Sequence, residues 1–92
     1  MMSKVQEYIK NRSENSTEFT QQIEIERKRL ELAMKLTELR KSTGLTQKEL
    51  SEKIGKPQST ISRIETGEMN PTIELVIEIA NGMGKNFVPI FE

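Results

Sequence analysis

The sequence predicts an all-α domain of four to five helices, preceded by a helical N-terminal extension and followed by a short C-terminal strand. Three observations predict it. Apolar residues recur at helical spacing from Ile23 to Lys41. A complete capping box, Thr46 with Glu49, opens the next apolar run. Gly44, Gly55 and Gly67 then punctuate segments of helical rather than strand length. Ninety-two residues suffice for one small domain. They divide into an extension over 1–30, a helical domain over 31–84 and a tail over 85–92.

Taken in order, Ser3 stands three positions before Gln6, and Val5, Tyr8 and Ile9 follow at i, i+3, i+4, predicting one short amphipathic helix. Residues 11–16 read as a connection, and Asn15 with Glu18 marks a second helix start. Phe19 and Ile23 begin a stripe that continues through Ile25, Leu32, Leu36 and Leu39 to about Ser42. Glu24–Lys28, Arg27–Glu31 and Glu31–Lys35 are placed to pair across one turn. Gly44 ends that helix. Thr46 caps the next, which carries Leu50 and Ile54 inward and stops at Gly55. Pro57 suits the first position of a helix running to Glu65, with Ile61 and Ile64 inward. Thr72 caps a last helix with Leu75, Val76, Ile79 and Met83 as its stripe. Phe87, Val88, Ile90 and Phe91 predict a strand, at an edge because Pro89 lacks an N–H.

Composition narrows the chemistry. The chain has no Cys and no His, and all fourteen acidic residues are Glu. Disulfides, thiolate or His zinc sites, and Ser-His-Asp or Cys-His nucleophiles are thereby excluded. The expectation is a non-enzyme with neither metal nor cofactor. The longest purely apolar run is Leu75-Val76-Ile77, too short to span a bilayer. Lys4 is followed by no apolar core of a secretory signal, so a cytoplasmic protein is expected. Net charge is zero but unevenly spread. Residues 27–63 carry ten Lys/Arg against four Glu, while residues 1–26 carry three against five and residues 64–92 one against five. A basic middle between acidic ends fits a polyanion on one surface and a basic partner on another. Solvated faces that merely differ in sign would read the same way.

The informative stretch is Leu45 to Gly67, two short helices around a tight Gly turn. Gln58, Ser59, Ser62 and Arg63 fall on the outer side of the second helix. These side chains suit base edges in a major groove, where Gln bonds adenine bidentately, Arg bonds guanine and Ser bonds either. Thr46 and Gln47 stand at a helix N-terminus, where free N–H groups favour a phosphate. Lys56, Thr60, Thr66 and Asn70 are further candidates for the DNA backbone, although loop polarity alone would supply such residues. In the flanks, Val5, Tyr8, Ile9, Phe19 and Ile23 either cover the domain's own core or anchor another protein, and the second reading is preferred because such anchors are aromatic and aliphatic. Phe87, Val88, Ile90 and Phe91 form either an intramolecular lid or a strand paired across a dimer axis. An unpaired apolar edge invites aggregation, which favours the dimer.

Leu45, Thr46, Gln47, Glu49, Leu50, Gly55, Ser59, Ile61, Ser62, Glu65, Gly67 and Pro71 together resemble the Cro/lambda-repressor (XRE) class of helix-turn-helix regulators over about residues 32–84. That resemblance implies a lambda-repressor-like fold, dimeric binding to double-stranded operator DNA, and an ion pair between Arg40 and Glu65. The class usually has a small residue where Ser51 stands, which still permits close helix approach. A narrower likeness rests on the acidic polar extension, the long helix ending LTELRKSTGLTQ and the terminal MGKNFVPIF. These are similar to HigA-type antitoxins. The likeness implies a RelE/HigB-like ribonuclease toxin bound by the extension, and repression of the chain's own operon. The competing expectations are a free-standing phage-like repressor without a toxin, and an adaptor that binds protein only.

Overall fold

A computed structural model describes residues 17–92, and among them the architecture is four α-helices. Helix α1 spans Thr17–Ser42, α2 Gln47–Ile54, α3 Gln58–Glu65 and α4 Ile73–Gly82. The expected helix near the N-terminus, with Val5, Tyr8 and Ile9, lies outside the described residues, as does the connection over 11–16.

Helix α1 runs 26 residues without a Gly or Pro to break it. Glu18 in its first turn and Arg40 and Lys41 in its last complement the helix dipole. Thr43 and Gly44 turn the chain out, with the Thr43 N–H on Leu39 O and the Gly44 N–H on Lys41 O. Residues 17–30 of the expected extension are the first part of this helix, in keeping with the continuous stripe from Phe19 to about Ser42. Charged neighbours along α1 pair, but not as the sequence suggested. Arg27 reaches back to Glu24 at 2.9 Å and Lys28 forward to Glu31 at 3.5 Å. Both pairs are exposed and contribute about 0–1 kcal/mol each.

The three short helices are set by their caps. The Glu49 N–H donates to Thr46 Oγ1 and the Thr46 N–H donates to Glu49 Oε1, both at 3.0 Å. This is the reciprocal box expected at the start of α2. Gly55 ends α2 with φ +68°, a left-handed conformation in which a Cβ costs roughly 1–2 kcal/mol. Pro57 sits one place earlier than expected, as the N-cap of α3 with extended ψ rather than as its first helical residue. Thr72 caps α4 by accepting from the Leu75 N–H at 3.1 Å.

Leu36, Leu50, Ile61, Ile64, Ile79 and Met83 form the core, with Leu50 and Ile61 almost wholly buried. Fully burying side chains of that size stabilises by about 1.5–3 kcal/mol each. Leu39, Ile54 and Leu75, expected inside, pack against this cluster but remain partly exposed. Ala33 and Ala80 are buried. Ser51 is buried as well, its hydroxyl satisfied by donating to Lys48 O at 2.7 Å. Gly82 is where α4 crosses α2: an added Cβ would stand 2.6 Å from Ile54 Cγ2.

The C-terminal strand is not formed. No residue from 85 to 92 is in a strand, and among the described residues there is no other strand to pair with. Extended apolar chain becomes a strand only through a ladder of backbone bonds, and Pro89 removes one donor from any ladder there. The tail instead borders a groove of about 520 Å³ with Lys28, Leu32 and Lys35 of α1. Phe87 is half-buried, while Val88, Ile90 and Phe91 are exposed. No described helix is long and apolar enough to cross a membrane.

Candidate nucleic-acid interface

Helix α3 sorts its side chains by angle. At 3.6 residues per turn, Gln58, Ser62, Ser59 and Arg63 fall within an arc of ~140°, on the side opposite Ile61 and Ile64. Ile61 and Ile64 are buried, which fixes the rotation of α3 about its axis. Gln58, Ser59 and Arg63 are exposed and Ser62 is half-buried, so the four expected readers stand together on one outward face. Short side chains at Ser59 and Ser62 leave the backbone of that face open to close approach.

The expected phosphate-side residues surround α3 without forming one cluster. Thr46 and Gln47 open α2, Lys56 lies in the turn between the helices, and Thr66 and Asn70 lie in the loop after α3. Thr60 is on α3 itself, half-buried on the flank. Several are already engaged. Thr46 holds the capping box. Lys56 Nζ lies 3.5 Å from Glu78 Oε2. Thr66 Oγ1 donates to Arg63 O at 3.2 Å. Lys48, Thr46, Lys56 and Asn70 are all exposed.

One polar network holds α2 and α3 to α1. Arg40 Nε donates to Glu65 Oε2 at 2.7 Å and Nη2 to Oε1 at 3.0 Å, a bidentate pair. Arg40 Nη1 donates to Leu45 O at 2.9 Å, just before the N-cap of α2. Gln47 Nε2 donates to Glu65 Oε1 at 3.1 Å. Burial pushes the Glu65 carboxyl up, but the hydrogen bonds from Arg40 and Gln47 and the nearby guanidinium outweigh it and hold the group below the usual carboxylate range. The Glu65 hydrogen bond likewise raises Arg40, against the opposing effect of burial. The sequence did not reveal that Gln47 belongs to this network. Its amide is half-buried against Glu65, which leaves the start of α2 itself as the surface facing outward.

Sequence reading also missed exposed apolar residues away from α3. Leu30 and Met34 on α1, and Ile73 and Ile77 on α4, are 50%, 64%, 66% and 40% exposed. Their i, i+4 spacing was the available signal.

Two helices joined by a three-residue stretch with a left-handed glycine, the second presenting a polar face over a fixed apolar one, define a helix-turn-helix protein. The chain belongs to the XRE-type helix-turn-helix family, whose profile, described as "Helix-turn-helix", matches residues 36–90. It is 38% identical to a protein of Methanothermobacter thermautotrophicus over 53 residues, covering 58% of this chain and 77% of that one. It is 36% identical to a protein of Haemophilus influenzae over 84 residues, covering 83% of this chain and 86% of the relative. A protein of Archaeoglobus fulgidus is 33% identical over 57 residues, covering 62% and 81%. All three are named as uncharacterized HTH-type transcriptional regulators. No solved structure gives a significant match.

Proposed function

We propose that the chain is a transcriptional regulator that reads double-stranded operator DNA through α3. The observation that carries this reading is the outward face of Gln58, Ser59, Ser62 and Arg63 over the buried Ile61 and Ile64. Such a helix fits the major groove, and the donors and acceptors of its side chains match those of base edges. The start of α2, the turn at Lys56 and the loop carrying Thr66 and Asn70 lie beside α3 and suit phosphate oxygens. Two copies reading half-sites roughly one helical turn apart supply operator affinity. The relatives' shared description as HTH-type transcriptional regulators supports the same reading. Its test is a gel-shift or anisotropy titration with the DNA upstream of the chain's own gene and with random duplex, across a range of salt. Selective binding that weakens steeply with salt is expected, because phosphate contacts release counterions. Equal affinity for both duplexes would overturn operator readout.

The finer reading is an antitoxin of a type II toxin–antitoxin module that neutralises a RelE/HigB-like toxin and represses its own operon. The HigA-like flanks support it, and so do Phe19 and Ile23, 44% and 41% exposed on the part of α1 that precedes its first buried residue. Val5, Tyr8 and Ile9 complete the proposed anchor, and Phe87, Val88, Ile90 and Phe91 the proposed tail contact of a dimer. Co-purification with the product of the neighbouring reading frame tests it. A neighbour that is no short basic protein, or that never co-purifies, would favour a free-standing repressor.

A further inference from the structure

Two ion pairs join α3 and the turn before it to neighbouring helices, and they differ in kind. Arg40 and Glu65 are bidentate and largely buried. Lys56 Nζ stands 3.5 Å from Glu78 Oε2, and the two side chains are 41% and 44% exposed. Lys56 is in the turn between α2 and α3, two positions before Gln58, and Glu78 is in the middle of α4. The ammonium at the entrance to α3 is thus held by α4.

Glu78 has no substitute for it. Its Oε2 is buried, and among the described residues no donor bonds it. Lys53 lines the same cleft of about 290 Å³, but its ammonium is spent on Gly82 O at 3.4 Å. Among the described residues, Lys56 is the cation within ion-pair distance of Glu78.

We infer that Glu78 is an internal competitor for the Lys56 ammonium, holding it back from DNA phosphates and so limiting the grip on any duplex. The inference deepens the operator reading and rests on it. An exposed pair is weak enough to exchange, whereas parting Arg40 from Glu65 strands a buried charge. Of the two pairs, Lys56–Glu78 is therefore the one that can yield its cation with the fold intact. A Lys ammonium is a compact charge on a flexible four-carbon stem, so it swings between two acceptors without moving the backbone. The swing leaves Glu78 Oε2 without its counter-charge, and that loss is subtracted from the phosphate contact. Phosphate contacts carry no sequence information, so the subtraction applies to operator and random duplex alike.

Fluorescence anisotropy of the full chain tests this, with the DNA upstream of its own gene and with random duplex, at several salt concentrations. Glu78→Gln keeps the side chain's shape and removes the competing charge. It is expected to bind both duplexes roughly fivefold more tightly than wild type, the ceiling set by an exposed pair. It breaks no hydrogen bond to Oε2, so its melting temperature should stay near that of wild type. Lys56→Met is expected to weaken binding to both and to lower the salt slope by about 1. On that background Glu78→Gln should change little, since no ammonium is left to release. Glu74→Gln, exposed one turn earlier, removes an equal charge from α4 and is expected to leave affinity near wild type. Four results would each overturn the inference: Glu78→Gln binding as wild type, a gain that survives Lys56→Met, a gain that Glu74→Gln matches, or a gain confined to the operator. Any of them alongside wild-type binding leaves the operator reading standing. A wild-type chain that binds neither duplex sinks that reading and the competition together.

Discussion

Arg40 and Glu65, 25 positions apart, are joined by two hydrogen bonds that tie the last turn of α1 to the last residue of α3. Both side chains are largely buried, at 11% and 7% exposure. Coulomb attraction alone rarely repays the burial of such a pair. What the pair does firmly is penalise any change that leaves one charge alone. Arg40→Ala is expected to destabilise the fold by about 3 kcal/mol. Urea unfolding followed by circular dichroism measures it, and a loss no larger than that of an exposed pair would show that the network is slack.

The same carboxylate gives stability a dependence on acid. Glu65 titrates below the usual carboxylate range when folded, despite burial, because Arg40 and Gln47 donate to it. The backbone and side chain of Thr46 lower Glu49 in the capping box as well. In the window between these folded values and the ordinary Glu value of about 4.3, the unfolded chain binds more protons, so stability rises with pH. The contribution is complete above that window and is lost as pH falls through the folded values. The urea midpoint of wild type should drop on acidification. Glu65→Gln should show a lower midpoint at neutral pH and a shallower acid slope.

Gly82→Ala sets two effects against each other. A helix generally gains about 0.5–1 kcal/mol from such a change. Here the new methyl would stand 2.6 Å from Ile54 Cγ2 and 3.0 Å from Leu50 Cδ1, and Leu50 is locked in the core. Overpacking costs about 1–3 kcal/mol and wins. A lower melting temperature is expected, and an unchanged or higher one would mean that α2 and α4 separate freely.

Arg63→Ala separates readout from folding. Arg63 is exposed on α3, so the melting temperature should not move. Operator affinity should fall by about 1–3 kcal/mol, with relaxed preference at one base position. Uniform weakening on operator and random duplex would instead mark Arg63 as a phosphate contact.

Much of this was legible in the sequence because the signals are local. Thr46 with Glu49, Gly55 and Thr72 fix helix ends within a few residues of themselves, and the alternation of Ile61 and Ile64 with Gln58, Ser62 and Arg63 fixes the face of α3. What was not legible depends on distant chain. Glu65 competes for the Gln47 amide across 18 positions. The apolar tail from Phe87 to Phe91 has strand composition, but a strand also needs a neighbour, and composition does not report one. Ala33 and Ala80 are buried without standing out in the sequence, because large residues define a stripe while small ones make the close helix contacts.

Helix α1 has neither glycine nor proline between Thr17 and Ser42, and kinks arise almost always at such residues or at local insertions. It is therefore stiff along its whole length, and its last turn is tied through Arg40 and Glu65 to the helix that bears Arg63.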